Sequence, residues 1–247
     1  MDKIANAFKN KANIGYIVAG YPSSDYTKEF LNSLDESVLD IVEIGIPYSD
    51  PLADGKLISM ASFEACKNGI TTDKVFEILK CVKTSKCLVF LVYYNLILAY
   101  GEDKFLQNAK ECGMSGIIVP DMPFDESEEF RAKCLKFNLA LIPLVAPTSK
   151  DRTKDILKNA SGFIYAVGSL GVTGGSQTSL NSLKDMIDGI KENTNLPVAI
   201  GFGIKTNEDV KRTKLYADGA IIGTKIVELT QKCNVKELNK EIEKLFV

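Results

Sequence analysis

Eight short runs of β-branched, aromatic and other apolar residues alternate with helical patterns along the 247-residue chain, and no Gly/Ser/Pro-rich linker or shift of composition divides it. Such alternation marks βαβ units around a parallel sheet. Eight units in one undivided chain predict an α/β fold, a single (β/α)8 TIM barrel over residues 1–247 with an extra N-terminal helix. A doubly wound open sheet is the competing architecture.

The strand signals are, in order, Ile14 to Val18, Ile41 to Gly45, Leu88 to Tyr93, Gly116 to Val119, Ala140 to Leu144, Phe163 to Val167, Val198 to Gly201 and Ala220 to Gly223. Helical periodicity falls over Asp73 to Lys83, Asp103 to Cys112, Glu126 to Phe137, Lys150 to Asn159, Leu180 to Lys191, Asn207 to Tyr216 and Val235 to Phe246. Several of these stretches open on a Thr, Asp, Ser or Asn cap. Asp2 to Lys9 reads as the additional helix, suited to cover the barrel bottom. In a barrel, chemistry sits at the C-terminal strand ends and in the loops after them. Two of those loops are long, Ile46 to Lys56 after the second strand and Gly168 to Ser179 after the sixth.

Composition narrows the chemistry. With 45% apolar and 25% charged residues the chain is an ordinary globular one, and disorder is excluded. Thirty basic and 32 acidic residues, a net charge of −2, form no long block of one sign, so neither nucleic acid nor a membrane is an expected partner. The absence of histidine removes Ser-His-Asp and Cys-His catalysis and His-ligated zinc. A general base must then be a carboxylate raised in pKa, or a lysine, tyrosine or thiolate tuned downward. Six cysteines without a C-x-x-C pair, and an opening MDKIANAFKN without an apolar segment, make a reducing cytoplasm the expected compartment. The longest apolar run, Cys87 to Tyr100, is interrupted by Asn95 and is too short to span a bilayer.

Glu43 lies inside the second strand run, where covering on both faces would desolvate a carboxylate and raise its pKa. Such a group suits a general acid, or else an ion pair or polar plug inside the barrel. Asp54, eleven residues on in the loop from the same strand, could face the same cavity or serve only as a turn residue. Glycines cluster at Gly201-Phe202-Gly203-Ile204 and Ile222-Gly223-Thr224. Adjacent turns of exposed backbone amides at a short helix start form the usual phosphate site of a barrel, although tight turns alone also need glycine. The stretch Gly171-Val172-Thr173-Gly174-Gly175 reads as a mobile lid or as a plain exposed linker. No lysine lies in any strand run, which disfavours imine chemistry, and no metal site is expected from so few carboxylates at strand ends.

The stretch Glu43 to Gly55, EIGIPYSDPLADG, together with Val119-Pro-Asp-Met-Pro123, Ala146-Pro-Thr-Ser149, Gly171-Val-Thr-Gly174, Gly201-Phe-Gly-Ile204 and Gly223-Thr224, resembles the α subunit of tryptophan synthase, in the family's order and over nearly the whole chain. The resemblance implies retro-aldol cleavage of indole-3-glycerol phosphate to indole and glyceraldehyde 3-phosphate. It makes Glu43 the acid/base, Asp54 the stabiliser of positive charge at the indole N–H, and Thr173 and Gly174 parts of a closing lid, with Thr173 bonded to Asp54. Gly203, Gly223 and Thr224 would hold the phosphate, and Tyr16, Leu91, Tyr93 and Phe202 would line the indole pocket. The implied partner is a pyridoxal phosphate-dependent β subunit in an αββα heterotetramer, so no cofactor is expected on this chain. In the free chain the lid is expected to stay open and to leave Asp54 poorly oriented.

Two positions depart from the family pattern. Lys56-Leu57 stand where many members have Pro followed by Thr or Val, and Gly168-Ser169 where many have Ser-Arg. The second removes a cation beside the expected phosphate. Competing functions are an isomerase or cyclase of anthranilate-derived sugar phosphates, which shares the glycine turns but not Glu43 to Gly55, and a non-catalytic regulatory subunit, which would not need Glu43, Asp54 and Thr173 together.

Overall fold

The computed structural model describes residues 2–168, 180–201 and 203–247. Helix α1 (Asp2–Ala7) leads into strand β1 (Ala12–Val18), and α2 (Ser24–Asn32) returns the chain to β2 (Ile41–Gly45). After the long loop come α3 (Lys56–Lys67), α4 (Thr72–Lys80), β3 (Cys87–Leu91), α5 (Tyr94–Tyr100), α6 (Glu102–Glu111) and β4 (Gly116–Ile118). Helix α7 (Glu128–Lys136) is followed by β5 (Ala140–Leu141), β6 (Leu144–Val145), α8 (Thr153–Lys158) and β7 (Ile164–Val167). The remainder is α9 (Leu180–Lys191), β8 (Val198–Gly201), α10 (Asn207–Tyr216), β9 (Gly219–Ile222), α11 (Thr224–Thr230) and α12 (Val235–Phe246). Caps set several of the helix starts. Ser23 and Thr71 accept the Tyr26 and Lys74 amides, and Thr206 and Asn234 form reciprocal boxes with Asp209 and Glu237.

All pairings among the described strands are parallel, in the order β5-β4-β3-β2-β1-β9-β8-β7-β6. The two ends of this order are neighbours in the chain. The expected uninterrupted strand over Ala140 to Leu144 is in fact two halves, separated at Ile142-Pro143. Proline has no N–H to give to a ladder. The first half bonds to β4 and continues with Ile142 N–H to the Ile117 carbonyl at 2.9 Å, while the Pro143 carbonyl accepts from Tyr165 N–H on β7 at 3.0 Å. One strand run therefore serves both edges and closes the ring, which decides for the barrel over the open sheet.

Strand alternation sorts the side chains into two layers. Ile14, Ile41, Val89, Ile118, Ile142, Phe163, Ala199 and Ile221 fill the barrel interior. Ile4 of α1 and Phe8, whose ring lies 5.3 Å from that of Phe163, belong to the same interior cluster, so the extra helix does cover the barrel bottom. Alternate residues such as Val42, Ile44, Phe90 and Ile222 pack outward under the helices with Phe76, Phe105 and Phe130. The sequence reading passed over α2, α3, α5 and α11. Helix α5 is hidden within the apolar run from Cys87, and its start is set by Asp121, whose carboxylate accepts the Tyr94 N–H at 2.9 Å from a distant loop.

Candidate active site

Glu43 sits in the middle of β2, beside Tyr16 of β1 and Val89 of β3 in the strand register. It is only 1% exposed, and its Oε1 is buried without a hydrogen-bond partner among the described residues. Burial favours the uncharged carboxyl and pushes its pKa up to about 8. No cation is among the causes of that shift, so the ion-pair reading of Glu43 loses its support.

The loop after β2 returns toward this carboxyl and is tied down at several points. Ile46 N–H bonds to the Leu91 carbonyl at 3.1 Å, and Tyr48 exchanges hydrogen bonds with Ser62 of α3 at 2.8 and 3.0 Å. The Tyr93 hydroxyl accepts the Ala53 N–H at 3.0 Å, and the Tyr48 and Tyr93 ring centroids lie 5.2 Å apart. Burial raises the Asp54 pKa, while hydrogen bonding from the Tyr93 hydroxyl opposes the rise by favouring the carboxylate. The Tyr93 hydroxyl thus lies within hydrogen-bonding reach of Asp54.

Two further phenols lie near the two carboxyls. The Tyr16 hydroxyl is raised well above its ordinary pKa by burial first, then by the charges of Asp54, Tyr93 and Glu43. Tyr165 on β7 is raised by burial, then by Glu43, Tyr16 and Asp54. Tyr16 and Tyr165 thus both lie within electrostatic reach of Glu43 and Asp54. Sequence reasoning missed Tyr165, although its place two residues after Phe163 in a strand marks it as inward-facing. Glycine makes room for both rings: a Cβ on Gly45 would lie 2.2 Å from the Tyr16 hydroxyl, and one on Gly201 2.2 Å from that of Tyr165. Leu91 is half-buried at the end of β3, level with Gly45 and Ile118.

Gly203 and Gly223 follow the neighbouring strands β8 and β9. Gly203 has φ +80°, a region open to glycine and strained for other residues. A Cβ on Gly223 would come within 3.5 Å of the Tyr16 Cβ, which places this turn beside the carboxylate cavity. Thr224 opens α11, and its buried Oγ1 has no hydrogen-bond partner among the described residues. Of the remaining expected residues, Thr173, Gly174 and Phe202 lie outside the described residues. Of the divergent positions, Lys56 and Leu57 begin α3, Gly168 N–H bonds to the Gly201 carbonyl at 2.9 Å, and Ser169 is outside the described residues.

Among the described residues no three His, Cys, Asp or Glu side chains group as a metal site, and no helix is long and apolar enough to cross a membrane. Comparison with known proteins points one way. A tryptophan synthase alpha chain from Campylobacter jejuni subsp. doylei is 45% identical over 240 residues, covering 97% of this chain and 96% of the relative. The solved structure of the Campylobacter jejuni alpha subunit superposes with a TM-score of 0.91 at 44% identity and covers 98% of both chains. A structure described as the mutually activating tryptophan synthase α2β2 complex of Pyrococcus furiosus gives a TM-score of 0.87 at 34% identity, covering 96% of this chain and 98% of that one. With the tryptophan synthase alpha chain family matching residues 3–247 as well, the chain belongs to that family.

Proposed function

We propose that Glu43 and Asp54 together carry this family's lyase reaction, the cleavage of indole-3-glycerol phosphate to indole and glyceraldehyde 3-phosphate. The observation that supports the assignment is a buried carboxyl with a pKa of about 8 and an oxygen unpartnered among the described residues, near a second carboxyl whose pKa burial raises and the Tyr93 hydroxyl draws back down. Glu43, protonated at neutral pH, gives its proton to indole C3. The ring nitrogen then carries positive charge, which the Asp54 carboxylate stabilises in a site of low dielectric. The Glu43 carboxylate so formed takes the proton of the glycerol hydroxyl next to the ring. The O–H electrons become the new aldehyde C=O, and the C–C bond electrons return to the ring and discharge the nitrogen. Glu43 ends as it began, and no cofactor on this chain is needed.

The phosphate of the substrate is assigned to Gly203, Gly223 and Thr224, where backbone amides at adjacent turns and the unpartnered Thr224 hydroxyl can meet anionic oxygens. Tyr16, Leu91, Tyr93 and Phe202 are assigned to the indole ring. Thr173 and Gly174 are assigned to a lid that bonds Asp54 on closing. We place residues 1–247 in one domain and the protein in the cytoplasm, paired with a β subunit in an αββα assembly, pyridoxal phosphate belonging to that partner. The test is indole release from indole-3-glycerol phosphate by the purified chain, with and without a β subunit. Glu43→Gln and Asp54→Asn should each abolish release while the fold persists; near-normal turnover in either variant rejects its role.

A further inference from the structure

A second cavity of about 370 Å³ lies away from this site, and none of Glu43, Asp54, Tyr16, Gly203, Gly223 or Thr224 lines it. It opens where the fifth barrel strand breaks. Between β5 and β6 the chain crosses from one neighbour to the other at Ile142-Pro143, and the space left beside this crossing is roofed by the loop Val119 to Phe124 and by α7 and α8. Its volume falls within the usual range of small-ligand sites, roughly 300–1,000 Å³.

Charge on the wall is distributed unevenly. Two of the chain's three arginines, Arg131 and Arg152, line the cavity, and among the described residues no lysine does. Arg131 lies 5.2 Å over the Phe124 ring and gives one N–H to Ser127 Oγ at 3.2 Å. Among the described residues it has no ion pair, so most of its five donors stay free for a ligand. Arg152 meets Asp125 at 3.6 Å, but both side chains are exposed and such a pair is weak. Asp121 is the one carboxylate on the wall among the described residues, and it accepts the Tyr94 N–H at the start of α5. Much of the remaining lining is apolar, and Pro120, Pro123 and Pro143 offer no N–H.

We propose that this cavity binds a small organic carboxylate with a flat apolar body, its carboxylate on the Arg131 guanidinium and its body against the proline and aliphatic walls. A planar guanidinium fork matches a carboxylate through two parallel hydrogen bonds, and Arg131, with one N–H committed to Ser127, can present that fork. The probe is 3-phenylpropanoate, with its neutral amide as control, titrated into the ¹⁵N-labelled full chain and followed by NMR. Saturable shifts should appear at the amides of Val119, Asp121, Met122, Phe124, Leu141, Ile142 and Leu144. The amide should bind at least about tenfold more weakly, Arg131→Gln should remove the preference for the acid, and Ala160→Phe should block both ligands. Arg131→Gln should leave indole release unchanged. The proposal is overturned by no saturation up to about 10 mM, by shifts confined to the strands around Glu43, or by equal affinity for acid and amide.

Discussion

Tyr93 and Ala53 are joined by a 3.0 Å hydrogen bond from the Ala53 N–H to the phenol oxygen, so the end of β3 holds the loop after β2 one residue before Asp54. The same hydroxyl favours the ionised form of Asp54. An aromatic residue assigned to the indole pocket is therefore also what orients the second carboxyl.

Tyr93→Phe keeps the ring and its stacking on Tyr48 but leaves the Ala53 N–H without its acceptor. Losing a hydrogen bond of this kind costs about 1–3 kcal/mol, and about 1.4 kcal/mol of that appearing in the barrier is a tenfold loss of rate. Turnover should drop about tenfold or more with little change in KM, read by steady-state indole release. A normal kcat would show that Tyr93 does not position Asp54.

Glu43 also makes stability depend on pH in a predictable direction. Its pKa is about 8 in the folded chain against an ordinary 4.5, so between those values the folded state keeps a proton that the unfolded state releases. Stability contributed by this group is complete below about pH 4.5, declines as pH rises toward 8 and levels off beyond it. Glu43→Gln removes the decline, and its stability relative to wild type should rise by about 3 kcal/mol or more across that window. Urea unfolding at pH 5, 7 and 9 measures this, and parallel pH curves for the two proteins would contradict it. In the wild type, kcat/KM should fall above about pH 8 as the proton needed at indole C3 is lost.

Thr224→Val separates ligand binding from folding. The Oγ1 is buried with no partner, so replacing it by a methyl group of similar shape should leave the unfolding midpoint unchanged or slightly raised. Affinity for a phosphate ester should weaken about tenfold, measured as the KM for indole-3-glycerol phosphate or by calorimetry with inorganic phosphate. Unchanged affinity would move the phosphate elsewhere.

Gly45 and Tyr16 should prove energetically coupled. A methyl group at Gly45 would overlap the Tyr16 ring, whose hydroxyl and Cζ would lie 2.2 and 2.7 Å away. Gly45→Ala should destabilise by about 1–3 kcal/mol and reduce activity by displacing that ring. Tyr16→Leu in the same chain should recover part of the stability, and a double-mutant cycle reads the coupling. Additive effects would mean that the ring moves aside at no cost.

Much of this protein is legible in local pattern. Apolar runs of strand length, repeated eight times between helical periods, determine a parallel α/β sheet, because each run must be covered on both faces. The position of Glu43 inside such a run already implies its desolvation, and the glycine turns after two neighbouring strands mark the expected phosphate side. Other features depend on residues far apart in the chain, which spacing does not encode. Pro143 alone does not show that β5 and β6 pair with opposite neighbours; only closing the ring does that. Helix α5 starts where Asp121 caps it, so its boundary is invisible in the apolar run that contains it. Tyr16 and Tyr165 come from strands β1 and β7 and Tyr93 from the turn after β3, and they approach the two carboxyls because the barrel's curvature gathers inward side chains and strand ends around one axis.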